Sequence, residues 1–430
     1  MNKTFHIYSF GCRVNEAEKV QMELSLQQHG FINDKKNPSI ALINTCAVTE
    51  KAEREARQLI YKLKKNSQSK IIITGCSATY WLKTNKYQNL PFDLCIENTN
   101  KEYTIDLILK KLFQTNTFLN KNKTNQQIVS PDKFINSGRL MIKIQEGCHR
   151  FCSYCIVPYL RGKPKSFLIH YLKSIIQNYE GKISEIILTA INTEAFGKDT
   201  GESLSDLIQA IIEKTDVPRI SFGSIHPWSI TSEFLKWYSD LKQKERFVHF
   251  FHIPLQSGSN KILALMKRGY TTEEFLWKIN EIKKINPFAF IATDVIVGFL
   301  DESDTDFEQT YSFLENSPIS KFHVFRYSKR DNTAAYYMAK RLKEPTYDAK
   351  KKRSKALIKL SNLKYQQFLQ NNIGRTSKAL FIGKITDGFQ EALLDNQIPV
   401  FVKTSKNLNG FFKNIYVSSM LNNTLIGKLS

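Results

Sequence analysis

Three apolar runs near the start of the chain each end at a cysteine, and this repeat restricts the fold more than any other feature. Phe5 to Phe10 leads to Gly11-Cys12, Ile40 to Ile43 leads to Asn44-Thr45-Cys46, and Lys70 to Thr74 leads to Gly75-Cys76. Helical stretches separate them, Asn15 to His29 and the charged Glu50 to Lys65. Strands alternating with helices at intervals of about 30 residues imply a parallel sheet in an α/β domain. Ligands of such sheets sit outside the carboxyl ends of the strands, so the three thiols can converge on one edge. Three converging thiolates suit a [4Fe-4S] cluster with one iron left open. Cys95 differs: it lies inside the apolar run Phe92 to Ile96 and reads as a buried structural thiol.

A second cysteine set stands in Gly147-Cys148-His149-Arg150-Phe151-Cys152-Ser153-Tyr154-Cys155, with spacing C-x3-C-x2-C and no fourth cysteine beside it. Structural zinc takes four ligands, commonly in paired motifs, so this triplet is a poor zinc site. Three thiolates again suit a [4Fe-4S] cluster whose fourth iron accepts a small molecule and passes it an electron. The competing reading is a group of structural thiols.

A chain of 430 residues is too long for one ordinary core, and about three domains are expected. A hydrophobic fraction of 42% is enough to fill them. No run of apolar residues is long enough to span a bilayer, which points to a cytoplasmic protein with no membrane partner. Seven cysteines in that compartment read as metal or redox ligands rather than a disulfide framework. The formal charge of +22 favours a polyanionic partner, RNA or DNA. A general bias toward Lys, Asn and Ile, visible along the chain, is the alternative source of that charge.

Four segments follow. Residues 1–114 form the α/β domain, and 115–137, rich in Asn, Lys, Thr and Gln, form a linker. In 138–370, Leu140 to Ile144, Glu185 to Thr189, Arg219 to Phe222, Val248 to Ile253, Ile291 to Val297 and Phe322 to Phe325 read as strands. Helical stretches between them include Leu204 to Lys214, Glu233 to Leu241, Thr271 to Ile285 and Asp304 to Asn316. Six βα units fall short of a closed eight-stranded barrel, so an open partial barrel is expected. Thr346 to Gln370 reads as a long helix with Leu357, Leu360 and Leu363 on its apolar side. Lys350, Lys351, Lys352, Arg353, Lys355, Lys359 and Lys364 crowd the rest, a solvated face or a phosphate contact. Short apolar runs with glycines in 371–430 suggest a small β-barrel, whose exposed phenylalanines are candidates for stacking on bases.

Residues at the carboxyl ends of the barrel strands should line its cavity. Tyr154, Asn192, Gln256 and Ser257 are therefore candidates to hold a small cofactor, or else turn-forming residues. Arg161 is a candidate anion contact. No catalytic acid or base is assigned, and His226 and His252 read as hydrogen-bonding residues of the core.

The C-x3-C-x2-C spacing, with Tyr154 before the last cysteine, resembles the radical S-adenosylmethionine (SAM) enzymes. Gly11-Cys12-Arg13-Val14-Asn15, Asn44-Thr45-Cys46-Ala47-Val48-Thr49 and Thr74-Gly75-Cys76 are similar to the amino-terminal domain of the methylthiotransferases among them. Pro254-Leu255-Gln256-Ser257-Gly258-Ser259 and Asp294-Val295-Ile296-Val297-Gly298-Phe299 extend that likeness over nearly the whole chain. The resemblance implies two [4Fe-4S] clusters, on Cys148, Cys152 and Cys155 and on Cys12, Cys46 and Cys76. It also implies SAM as cofactor, an open six-stranded barrel, and a carboxyl-terminal RNA-binding barrel of the TRAM type. Ala190, Leu300-Asp301 and the stretch from Arg326 to Thr333 depart from the family at turn positions. They put loop geometry in question but not the thiol ligands.

The chemistry implied is reductive cleavage of SAM, hydrogen removal from an unactivated carbon, sulfur insertion and methyl transfer. The cofactors carry it, supplied by an electron donor and a sulfur donor that the sequence does not identify. Gly11-Cys12-Arg13-Val14-Asn15 looks most like the MtaB branch, which methylthiolates C2 of N6-threonylcarbamoyladenosine at tRNA position 37. The related N6-isopentenyladenosine and an aspartate of a ribosomal protein are the family's other substrates. A non-catalytic iron–sulfur protein that binds RNA is the alternative of a different class.

Overall fold

The computed structural model describes residues 3–113, 138–242 and 244–430; the expected linker, 115–137, lies outside them. The described residues form two compact units. The first takes 3–113 with Glu146–Arg150 and Cys155–Pro164, and the second takes 138–145, Phe151–Tyr154 and Lys165–Ser430.

In the first unit, strands β1 (Thr4–Ser9), β2 (Ile32–Asn33), β3 (Ile40–Thr45), β4 (Lys70–Gly75) and β5 (Leu94–Ile96) form one sheet in the order β2-β1-β3-β4-β5. Every pairing is parallel. Helices α1 (Arg13–Gln28), α2 (Glu50–Asn66) and α3 (Cys76–Thr84) make crossovers, and α4 (Thr104–Leu112) follows β5. β3 is buried along its whole length, as a central strand covered on both faces must be, and its sequence is accordingly apolar without alternation. Leu26, Leu42, Ile72 and Ile108 fill one face of the sheet, and Ile43, Ala56, Ile60 and Ile73 the other. α2 begins where Thr49 caps it, its hydroxyl accepting the Ala52 N–H at 3.2 Å.

The second unit contains two sheets and a barrel. Strand β6 (Arg139–Glu146), the two-residue β7 (Lys165–Ser166), β8 (Glu185–Ala190) and β9 (Ile220–Phe222) form a sheet in the order β7-β6-β8-β9. β10 (Phe250–His252), β11 (Phe290–Val297) and β12 (Lys321–Arg326) form the next. A parallel bridge from Ile220 to Phe247 joins β9 to the approach of β10. Strands β6, β8, β9, β10, β11 and β12 are thus one parallel run of six, as expected for an open barrel. Its helices are α6 (Ile169–Gln177), α7 (Leu204–Lys214), α8 (Ser232–Asp240), α9 (Asn260–Leu265), α10 (Thr272–Ile285) and α11 (Asp304–Asn316), with α5 (Val157–Arg161) in the first unit. Ser203 with Asp206, Thr271 with Glu274 and Ser303 with Asp306 form capping boxes that start α7, α10 and α11 where the sequence signals them.

A short helix α12 (Ala334–Met338) precedes the long α13 (Tyr347–Gln370), which covers the open edge of β12. Ser361 accepts the Phe322 N–H at 2.9 Å and donates to the Phe322 carbonyl at 2.7 Å, closing part of the unpaired edge. α13 departs from the sequence expectation in two ways. Leu357 and Leu360 are buried but Leu363 is 47% exposed. Lys350 and Arg353 are buried and paired, with Glu344 and with Glu302 and Asp304, while Lys364 donates to the carbonyls of Glu315 and Ser317. Helical rotation places these three against the core side; Lys351, Lys352, Lys355 and Lys359 remain exposed.

Strands β13 (Thr376–Thr386), β14 (Phe389–Leu393), β15 (Pro399–Lys403), β16 (Phe412–Leu421) and β17 (Thr424–Leu429) close a barrel in the order β13-β14-β15-β17-β16. Phe381 is core, whereas Phe411 is 62% exposed. The turn between β14 and β15 lies across the amino-terminal ends of the six-stranded run. Gln397 accepts from Arg139 at 2.8 Å and donates to Glu185 at 2.6 Å, the His249 N–H donates to the Asp395 carbonyl at 2.9 Å, and Asn396 donates to the Phe288 carbonyl at 3.0 Å. Arg219, 2% exposed, donates to the carbonyls of Leu393, Leu394 and Lys378 at 3.0, 3.2 and 3.0 Å and lies over the Phe412 ring. The small barrel therefore stoppers the amino-terminal ends of these strands. Arg219→Leu removes the side-chain donor shared by the carbonyls of Leu393, Leu394 and Lys378 and should destabilise the protein by roughly 3 kcal/mol, read as a shift in the urea midpoint.

Candidate metal centres and cofactor site

The first cysteine set is built by the ends of three neighbouring strands. Cys12 follows β1 as the cap of α1, Cys46 follows β3, and Cys76 follows β4 as the first residue of α3. Two of the thiols thus sit at helix amino-termini. Glycine precedes Cys12 and Cys76 for a steric reason. Gly11 has φ +91° and a Cβ there would overlap the side chain of Cys46; Gly75 has φ +95° and a Cβ would overlap the Thr45 carbonyl. Side chains staple the turns together. Asn15 donates to the carbonyls of Phe10 and Thr45 at 2.8 and 3.0 Å, Thr45 donates to the Thr74 carbonyl at 2.7 Å, and Ser77 donates to the Cys46 carbonyl at 2.6 Å.

The sulfurs act on one another. A hydrogen bond from Cys46, helped by the charge of Arg161 and opposed by burial, brings the Cys12 thiol down to about 6. The same bond, with burial, pushes Cys46 up. Cys76 Sγ accepts from Arg161 Nε at 3.2 Å and from Asn98 at 3.5 Å. Among the described residues, no three His, Cys, Asp or Glu side chains close in on a point that would hold a single metal ion. In a four-iron cluster each thiolate binds a different iron, so three sulfurs around a common space, not a chelating knot, are what it takes. The donor set fits that group. Cys95 stands apart, half-buried and directed at the Ala78 carbonyl, with burial pushing its thiol up to about 12.

The second set lies on the loop after β6. The Cys148 N–H donates to the Gly162 carbonyl at 3.1 Å. Phe151 takes φ +44°, a conformation that a bulky residue adopts only when its surroundings impose it. Ser153 pins the loop, donating from N–H to the Met266 carbonyl at 3.0 Å and from its hydroxyl to the Leu265 carbonyl at 2.7 Å. Arg268, which the sequence reading did not single out, is buried beside this loop. It donates to Cys152 Sγ and Tyr154 Oη, both at 3.3 Å, to the Pro254 carbonyl at 3.1 Å, and to Tyr270 Oη at 2.9 Å, and it lies over the Trp228 ring. An isolated Arg in Met266-Lys267-Arg268-Gly269 carries no periodic or spacing signal that would have marked it. Arg268→Lys keeps the charge but loses the planar fork; on the expectation of SAM chemistry at this loop, SAM cleavage should fall about 10- to 100-fold while iron content stays unchanged. 5′-Deoxyadenosine yield and iron analysis of the purified variant check this.

Of the candidate cofactor contacts, Asn192 is fully buried just beyond β8. Its N–H donates to Gln145 Oε1 at 2.9 Å and its Oδ1 accepts from Glu194, but its amide nitrogen has no hydrogen-bond partner among the described residues. A buried donor left open is what a bound polar ligand would satisfy. Gln256, beyond β10, holds φ +80° with its backbone bonded on both sides to β11. Tyr154 is tied through Arg268 to the Pro254 carbonyl, two residues before Gln256. Ser257 is occupied differently: its hydroxyl meets Thr310 Oγ1 at 3.3 Å and accepts the Ser259 N–H at 3.2 Å, which shapes the turn.

The three sequence departures leave the loops intact. Ala190 ends β8 in pairing with Gln145 and takes no left-handed φ. Asp301, at φ +55°, accepts the Lys343 N–H at 2.8 Å, and Asn332 takes φ +65°. Asp and Asn are the side chains that tolerate this region best after glycine, so they replace it in these turns.

Residues 142–314 match the family model of the Radical SAM superfamily, and residues 4–94 match Uncharacterized protein family UPF0004. The chain is 34% identical over 389 residues to the threonylcarbamoyladenosine tRNA methylthiotransferase MtaB of Aquifex aeolicus, covering 87% of this chain and 92% of that one. It is 30% identical over 452 residues to the tRNA-2-methylthio-N(6)-dimethylallyladenosine synthase of Petrotoga mobilis, covering 99% and 98%. Among solved structures, the radical SAM methyltransferase TsrM from Kitasatospora setae is alike in fold, with a TM-score of 0.54 at 11% identity over 76% of this chain and 75% of that one. The match to the Radical SAM superfamily implies a [4Fe-4S] cluster and SAM. Extent and identity together show that the chain belongs to the radical SAM methylthiotransferase family.

Proposed function

We propose that the protein methylthiolates C2 of N6-threonylcarbamoyladenosine at tRNA position 37. The observation that carries this reading is the presence of two separate sets of three cysteines, one at the ends of three strands and one on the loop after β6, in a chain similar to relatives named for tRNA methylthiolation. Cys148, Cys152 and Cys155 hold the cluster that works on SAM; Cys12, Cys46 and Cys76 hold a second cluster for the incoming sulfur. Bound together, the first cluster and SAM supply reductive cleavage of a carbon–sulfur bond. The chain's own residues bind and orient. Asn192 offers its open amide to the cofactor, Tyr154 is tied through Arg268 to Pro254 just before Gln256, and Ser257 supports the turn that carries Gln256. An electron donor and a sulfur donor complete the cycle, and the cytoplasm is its compartment.

Gly11-Cys12-Arg13-Val14-Asn15 favours threonylcarbamoyladenosine over the isopentenyl base. The likeness to the Petrotoga mobilis synthase supports the second reading, N6-isopentenyladenosine. Nucleoside mass spectrometry of tRNA from cells with and without the protein decides between them. Loss of 2-methylthio-threonylcarbamoyladenosine, with its precursor accumulating, is the expected result. Loss of the isopentenyl product instead keeps the chemistry and replaces the substrate. If neither changes, the ribosomal-protein aspartate is next, and absence of 5′-deoxyadenosine formation would leave a non-catalytic RNA-binding factor.

Lys351, Lys352, Lys355 and Lys359 form the exposed cationic stripe of α13, free of the internal pairs that use Lys350 and Arg353. Changing all four to Gln should weaken tRNA binding at least about tenfold and reduce the slope of log K against log salt by about 3. Filter binding over a salt series measures both.

A further inference from the structure

Arg161 ends α5, outside both cysteine motifs, and is buried. Every nitrogen of its guanidinium is engaged. Nε donates to Cys76 Sγ at 3.2 Å. Nη1 donates to Glu18 at 2.9 Å and to both oxygens of Glu146 at 2.8 and 3.0 Å. Nη2 donates to Asn15 Oδ1 at 2.9 Å and reaches Glu18 again at 3.4 Å. Glu18 is held in turn by Lys101, which also donates to Asn44 Oδ1 at 2.8 Å.

The neighbours of this arginine join two places in the first unit. Glu146 ends β6, two residues before Cys148. Gly162, directly after Arg161, accepts the Cys148 N–H at 3.1 Å. One turn therefore meets the Cys76 sulfur with a side chain and the Cys148 backbone with a carbonyl. Two carboxylates offset the charge of the buried guanidinium, and its Nε–H, which burial obliges to find an acceptor, finds the Cys76 sulfur. A planar fork can serve three anionic partners at fixed angles, which a lysine ammonium cannot. Hydrogen bonds to ligand sulfurs and nearby positive charge stabilise the more negative, reduced form of an iron–sulfur cluster and raise its potential.

We propose that Arg161 is a positioning residue that fixes the Cys76 sulfur to the Cys148 loop and holds up the reduction potential of the cluster on Cys12, Cys46 and Cys76. The proposal rests on the reading of those three thiols as cluster ligands. Glu146 acts with the opposite sign, since it offsets the charge of the guanidinium that faces the sulfur.

The test uses the full chain with Cys148, Cys152 and Cys155 all changed to alanine, reconstituted with iron and sulfide so that one cluster is present. Redox titration is followed by electron paramagnetic resonance. Arg161→Gln shifts the reduction equilibrium about tenfold toward the oxidised form, about 59 mV for one electron. Glu146→Gln shifts it the other way, and Arg161→Lys falls between Arg161→Gln and the parent. Opposite shifts from two adjacent changes would not arise from a role in folding alone. Equal potentials in the parent and Arg161→Gln, at equal iron content, overturn the proposal and leave the second cluster standing. Should Arg161→Gln not fold, unshifted potentials in Arg161→Lys and Glu146→Gln overturn it as well. A parent that binds no iron removes the ligand reading and the proposal together.

Discussion

Cys76→Ala should leave SAM cleavage within a few-fold of the parent while methylthiolated nucleoside falls to background. On the proposed assignment of Cys12, Cys46 and Cys76 to a second cluster, iron should drop from about eight to about four atoms per chain, because that cluster would lose its third thiolate. The argument is geometric. Cys76 opens α3 at the end of β4, and its sulfur is the one that Arg161 and Asn98 both address. Removing it takes away one ligand and also the acceptor of a buried N–H, at a cost of about 1–3 kcal/mol. Cys76→Ser keeps a hydrogen-bond acceptor and separates the two effects: iron lost with stability retained assigns the change to ligation. Unchanged iron in both variants would make Cys76 a structural thiol and reduce the protein to one cluster.

Cys148→Ala should lose the same amount of iron from the other set and do more to the chemistry. About four irons should remain, those of the first set, while 5′-deoxyadenosine and methylthiolated product both fall to background. Cys148 sits on a loop pinned by Ser153 to the carbonyls of Leu265 and Met266 and by its own N–H to Gly162, so the loop should keep its shape without the sulfur. Iron analysis and chromatography of the small-molecule products read both quantities in one preparation. Product formation by the Cys148→Ala variant would place the radical chemistry elsewhere.

Much of this was legible in the chain. β3 reads as a buried parallel strand because it is apolar without alternation, β4 delivers Cys76 by the same rule, and the alternating β1 delivers Cys12. α7, α10 and α11 begin at Ser203, Thr271 and Ser303 because each cap carries an acid three residues later. These are local signals, set by hydrogen bonds and apolar contacts within a few residues. The cysteine spacing was equally readable, since it depends on neighbours in sequence.

Other features depend on residues far apart in sequence, and composition and periodicity leave no mark of them. The amphipathic reading of α13 misplaced Leu363 and gave Lys350 and Arg353 to the surface, because Glu344 and Glu302 draw those cations inward. Arg219 and the turn around Asn396 join the small barrel to strand beginnings more than a hundred residues earlier. Arg268 reaches Cys152, and Arg161 reaches Cys76, across 116 and 85 residues of chain. The sequence by itself determined the strands, the helix starts and the thiols, because local geometry governs each. Only the tertiary structure decided which buried charge meets which sulfur, because a desolvated guanidinium is stable only where several distant acceptors surround it at once.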